Sequence, residues 1–110
     1  MPITETITPP DKHVTRRQSG AVWLRKKREE RKLTQRDIAA KLNIDSQTFI
    51  SAIEAGGPVL PEDRWKDYAK ILEIDWRVFC KNMVMYFKPE IFDALFGPPS
   101  NQQINHGLEG

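Results

Sequence analysis

Helix start and stop signals crowd the stretch between Leu33 and Gly57 so closely that only two very short helices fit there. Thr34, with Asp37 three residues on in place of the usual Glu, makes a capping box that opens QRDIAAKL, where Ile38 and Leu42 form an i, i+4 apolar stripe. Asn43, Ile44 and Asp45 interrupt that periodicity. Ser46 then caps QTFISAIEA, and Gly56 with Gly57 closes it, since glycine enters the left-handed conformation at little cost. The sequence therefore predicts two short helices joined by a tight turn.

The flanks read as helix too. Ser19 is the predicted N-cap of AVWLRKKREERK, a basic helix anchored by Ala21, Trp23 and Leu24. Downstream, Pro58 and Pro61 bracket Val59 and Leu60 in an extended connector, and Pro61 at the first helical position opens EDRWKDYAKIL, whose Trp65, Tyr68, Ala69 and Leu72 share a face. Asp75 caps WRVFCKNMVMYF, Pro89 starts EIFDALF, and Gly97 with Pro98 stops it. No segment alternates as a strand, so the predicted class is all-α. The 110 residues suit one domain. Residues 1–18, with two adjacent prolines, read as a flexible arm and the polar residues 98–110 as a disordered tail. Between them lie a short-helix unit at 19–74 and C-terminal helices at 75–97.

Charge is divided unevenly along the chain. From Arg16 to Lys41 there are ten Lys or Arg against three acids, whereas Leu42 to Gly110 has six against ten. The basic half should face an anion. Catalysis finds no parts: His13 and His106 sit in the tails, and there is no glycine-rich phosphate loop, no metal-ligand spacing, and no Cys or Ser beside a plausible base. Accordingly no enzymatic activity, cofactor or metal is expected. The single cysteine, Cys80, lies in an apolar stretch and reads as a buried free thiol. Neither a secretory h-region nor a membrane-length apolar run is found, so a cytoplasmic protein without a membrane partner is expected.

The stretch LTQRDIAAKLNIDSQTFISAIEAG resembles the Cro/C1-type helix-turn-helix family of phage repressors and bacterial regulators, also called the xenobiotic-response-element family. The likeness runs back over LRKKREERK and forward through the helix beginning at Pro61, about 50 residues in all. It implies a lambda-repressor-like bundle of about five helices, here with a C-terminal helical extension, that binds double-stranded DNA to regulate transcription. The helix at about 46–55 would enter the major groove, which admits one α-helix, while the preceding helix braces it on the phosphates. On that helix Gln47, Thr48, Ser51 and Ala52 are the expected base-reading residues, Gln47 foremost because a Gln pairs with adenine through two hydrogen bonds. Phe49 either packs inward or stands against a base methyl, and packing is favoured. By the same resemblance Gln35 is a phosphate contact and Arg28 with Glu54 forms a buried ion pair; the clustering of basic residues adds Arg36, Arg16, Arg17 and Lys41 as further phosphate contacts.

This sequence departs from the family in three ways. The turn near Asp45 is one residue longer, so the position of Gln47 depends on Ser46 being the cap. Lys32 stands where a glycine usually ends the first helix, and GGPVLP lacks the basic residues many relatives direct at the DNA backbone. The aromatic-rich 75–97 segment exceeds what a five-helix domain needs and is expected to form a homodimer through Met85, Tyr86, Phe92 and Phe96; the alternative is that these residues complete the monomer core. A rival function is a protein-interaction module, such as an antitoxin or co-regulator acting through a second regulatory protein.

Overall fold

The computed structural model describes residues 7–99. Those residues form six α-helices and no strand: α1 (Arg16–Glu30), α2 (Gln35–Lys41), α3 (Gln47–Glu54), α4 (Trp65–Leu72), α5 (Trp76–Phe87) and α6 (Pro89–Phe96). Local chemistry sets most of the starts. Thr34 and Asp37 complete the expected capping box of α2, Ser46 accepts from the Thr48 amide, and Asp75 accepts from the amides of Arg77 and Val78. Two starts differ from the sequence expectation. α1 begins at Arg16, because Thr15 and Gln18 form a reciprocal capping box and the Ser19 hydroxyl instead accepts from the Asp11 amide. Pro61 leads into a 3-10 turn at Glu62–Arg64, and α4 proper starts only at Trp65.

The first four helices end alike. At each end the chain enters the left-handed region, at Lys32, Asn43, Gly56 and Glu73, and the next amide reaches back to a carbonyl in the last turn. Leu33, Ile44 and Ile74, the residues after the three non-glycine positions, fold back against the core. Apolar burial thus accompanies the left-handed turn, which for a lysine or glutamate costs roughly 1–2 kcal/mol.

One core runs through all six helices. Leu24, Ile38, Ile50, Ile53, Leu60, Tyr68, Leu72, Phe79, Met83 and Met85 are almost fully buried, and Trp23 packs 5.7 Å, centroid to centroid, from both Phe79 and Tyr86. The last two helices are therefore part of this core. Met85, Tyr86 and Phe92, expected at a seam between copies, are at most 2% exposed within the monomer, which corrects that expectation and realises the alternative. Gly20 makes this possible. A Cβ on Gly20 would lie 2.5 Å from Phe87 Cζ and 2.8 Å from Tyr86 Cβ, so the missing side chain lets α5 close onto α1.

The N-terminal segment is likewise tied down. The Thr8 amide donates to Asn82 Oδ1 (2.8 Å), the Tyr86 hydroxyl donates to the Thr8 carbonyl (2.6 Å), and Ile7 packs on the core. Of the flexible arm expected at 1–18, residues 7–15 instead lie along α5 and α1, because α5 offers a buried amide and a phenol as partners; residues 1–6 fall outside the described residues. Residues 100–110 of the expected tail fall outside them too. Cys80 is half-buried and its thiol is pushed up by burial.

Replacing Gly20 with alanine should separate helix propensity from packing. Alanine gains about 1 kcal/mol as a helix former, but overpacking against a Cβ fixed by the α5 backbone costs about 1–3 kcal/mol. Gly20→Ala is expected to lower the urea midpoint, and an unchanged or higher midpoint would show that α5 is free to move away.

Candidate nucleic-acid interface

Ser46 caps α3 as the sequence implied, so the longer turn does not shift the helix and Gln47 is its first residue. Ile50 and Ile53 point inward, 0% and 2% exposed, and Phe49 is half-buried against the core, which decides its ambiguity in favour of packing. Gln47, Thr48 and Ser51 are exposed on the opposite side, with Ala52 half-buried beside them. α3 thus presents a short polar face from an apolar base, at the shape and scale the major groove accepts.

The far end of α3 is held by charge. Arg28 Nε donates to Glu54 Oε2 (2.8 Å) and Nη2 to Oε1 (2.9 Å), while Nη1 donates to the Leu33 carbonyl (2.8 Å). Both side chains are nearly sealed from water, 10% and 2% exposed. The Glu54 hydrogen bond holds the Arg28 guanidinium above its ordinary pKa, outweighing the opposing effect of burial. Close by, burial pushes the Tyr68 phenol far up, and the charge of Glu54 adds to the effect. Gln35 joins the same network, its Nε2 donating to Glu54 Oε1 at 3.0 Å. Its amide, expected on a phosphate, is thus turned inward to tie α2 to α3.

Intramolecular pairing removes much of the basic excess. Arg16 donates to both oxygens of Asp93 (3.0 Å each) and to the Met85 carbonyl, joining α1 to α6, and Arg17 donates to the Gly57 carbonyl. Neither is displayed as the free phosphate contact the charge run suggested, because acceptors from distant parts of the chain reach them first. Arg25 pairs with Glu29, Lys27 with Glu30 and Arg31 with Glu73. Arg36 and Lys41 remain exposed on α2 without an ion pair among the described residues.

Two shallow grooves flank the start of α3. One, of about 480 Å³, is lined by Lys32, Thr34, Gln35, Arg36 and Gln47 among others. The other, of about 400 Å³, is lined by Arg36, Ala40, Ile44, Asp45, Ser46 and Gln47 with Ala39. Arg36 and Gln47 border both. Lys32 and Asp45 line these grooves although the sequence assigned neither to the site; Lys32 holds a left-handed position that favours glycine (φ 59°), and Asp45 lies in the longer turn. Among the described residues no cluster of His, Cys, Asp and Glu could hold a metal, and no helix is long and apolar enough to cross a membrane.

A family model described as a helix-turn-helix domain matches residues 23–78, from Trp23 in α1 to Val78 in α5. The chain belongs to this helix-turn-helix family, in agreement with the Cro/C1-type resemblance and the all-helical bundle. No curated protein and no solved structure matches it. The family is one of DNA-binding domains, and the matched span contains α2, α3 and the Arg28–Glu54 pair, while most of α5 and all of α6 lie beyond it.

Arg28→Ala should destabilise the fold by about 3–5 kcal/mol by leaving the Glu54 charge buried alone. The double variant Arg28→Met with Glu54→Leu should recover part of that loss in urea denaturation, since no charge is then stranded. Equal losses in the single and double variants would mean the pair contributes by shape alone.

Proposed function

We propose that this protein is a sequence-specific regulator of transcription that inserts α3 into the major groove of double-stranded DNA. The observation that carries the reading is the division of α3: Gln47, Thr48 and Ser51 face solvent while Ile50 and Ile53 anchor the helix. Gln47 reads an adenine through N6 and N7, and the methyl groups of Thr48 and Ala52 meet a thymine methyl, each good pair being worth roughly 1–3 kcal/mol of discrimination. Arg36 and Lys41 neutralise phosphates, joined by Lys32 across the groove it shares with Arg36 and Gln47.

Selection from a randomised duplex pool at two salt concentrations tests the assignment. Gln47→Ala is expected to relax one base position per half-site. Arg36→Ala is expected to weaken all sequences alike and to reduce the slope of log K against log salt by about 1. Equal, sequence-blind losses in both variants would remove α3 from the groove.

The protein acts as a homodimer on a pseudo-palindromic site, because a single short reading helix makes few base contacts and two-fold pairing doubles them. The seam is the outer face of α6, where Ile91, Leu95 and Phe96 are 53%, 68% and 52% exposed. Three large apolar side chains on one eight-residue helix make the kind of patch that marks an interaction surface. Leu95→Glu should sediment as a monomer with an unchanged melting midpoint and bind the two-half-site duplex at least about tenfold more weakly. A variant that remains dimeric would move the seam elsewhere, and a wild-type protein that is monomeric at micromolar concentration would give this face to a second protein.

A further inference from the structure

Three acids lie on α2, the turn and α3, and two of them are already used. Asp37 accepts from the Thr34 amide (2.8 Å) in the capping box, and Glu54 is buried against Arg28. Asp45 is the third. It is exposed, it makes no hydrogen bond or ion pair among the described residues, and it sits immediately before the cap of α3. The turn puts it there: Ile44 folds back onto the core as its amide donates to the Ala39 carbonyl (2.8 Å), and Ser46 is fixed as the cap, with Asp45 exposed between them. Its groove is shared with Arg36, Ser46 and Gln47.

A free carboxylate at the leading edge of a DNA-reading helix meets a strongly negative surface, and a hydrogen-bond donor on a base edge would offset that repulsion. An ionised carboxylate accepts hydrogen bonds and donates none. In the major groove guanine offers two acceptors, thymine offers an acceptor and a methyl group, and adenine sets the N7 acceptor beside its amino group. Cytosine alone has an amino group as the sole hydrogen-bonding group on its own major-groove edge, the neighbouring O6 acceptor belonging to its paired guanine.

We infer that Asp45 is a specificity-determining residue that selects a cytosine through its N4 amino group, in each half-site, next to the base read by Gln47. The inference rests on the major-groove reading of α3 and adds to it a residue that discriminates by repulsion as well as attraction. Asp45 rejects the other three bases by placing its charge against their acceptors, and it lowers affinity for unrelated DNA by facing phosphates without compensation.

The test is the pool selection run on the wild-type protein, Asp45→Ala and Gln47→Ala, together with a melting curve for each. Asp45→Ala is expected to lose a cytosine preference of about tenfold at one position per half-site, and to bind unrelated duplex several-fold more tightly. An unchanged consensus in Asp45→Ala overturns the inference. If binding then tightens uniformly, the carboxylate is a repulsive charge only; if the melting midpoint falls instead, it serves the α3 dipole. Should Gln47→Ala still relax its own position in that case, the reading of α3 stands and only the role of Asp45 fails. A wild-type protein that selects no consensus overturns both.

Discussion

Glu54 lies under the apolar residues of α3 with its carboxylate nearly sealed from water, and the placement of three helices depends on how that charge is answered. An isolated buried carboxylate is costly enough that a chain must pair it or protonate it. Here it is paired from two directions at once. Arg28 supplies two parallel bonds from α1, and Gln35 a third from the start of α2. Since the same guanidinium also holds the Leu33 carbonyl, the end of α1, the start of α2 and the end of α3 converge on one carboxylate. A fork of fixed geometry does this better than a flexible point charge would. α2 and α3 are too short to be stable alone, so their relative placement, and hence the direction in which Gln47 faces, comes from this junction and from the apolar stripe beneath it.

A second constraint comes from the other side of α1. Gly20 brings α5 against α1 at a distance no other residue allows, and the aromatic rings of Trp23, Phe79 and Tyr86 fill the space around it. The segment from 7 to 15 closes over the same region through Asn82 and Tyr86. The helices that run beyond the matched family span are thereby drawn into the core of the domain, and the large apolar side chains they leave exposed are Trp76 at the start of α5 and Ile91, Leu95 and Phe96 on α6.

The cations divide between those tied into the fold and those left on its surface. Arg16, Arg17, Arg28 and Arg31 each reach across to another part of the fold. Arg36 and Lys41, on the short helix beside α3, make no ion pair among the described residues and keep their charge on the surface. Net charge says little about this, because a pair within the molecule and a pair with a phosphate count alike in the total.

What the sequence by itself determined were the features decided within a few residues. The caps Thr34, Ser46 and Asp75, the stops at Gly56 and Gly97, and the inward stripe Ile50 and Ile53 all act through bonds or spacings that span at most a turn or two. The α1 cap expected at Ser19 falls instead at Thr15, four residues earlier, because Gln18 reaches back to the Thr15 amide while the Asp11 amide donates to the Ser19 hydroxyl. Only the tertiary structure decided where Arg16, Arg17 and Gln35 spend their donors, and that Met85, Tyr86 and Phe92 are core rather than seam. In each case the deciding partner lies far along the chain: Asp93 for Arg16, Gly57 for Arg17, Glu54 for Gln35, and Gly20 for the helix that carries Tyr86. An apolar stripe announces that a helix face will be buried, but whether its own chain or a second copy buries it depends on how closely two backbones can approach.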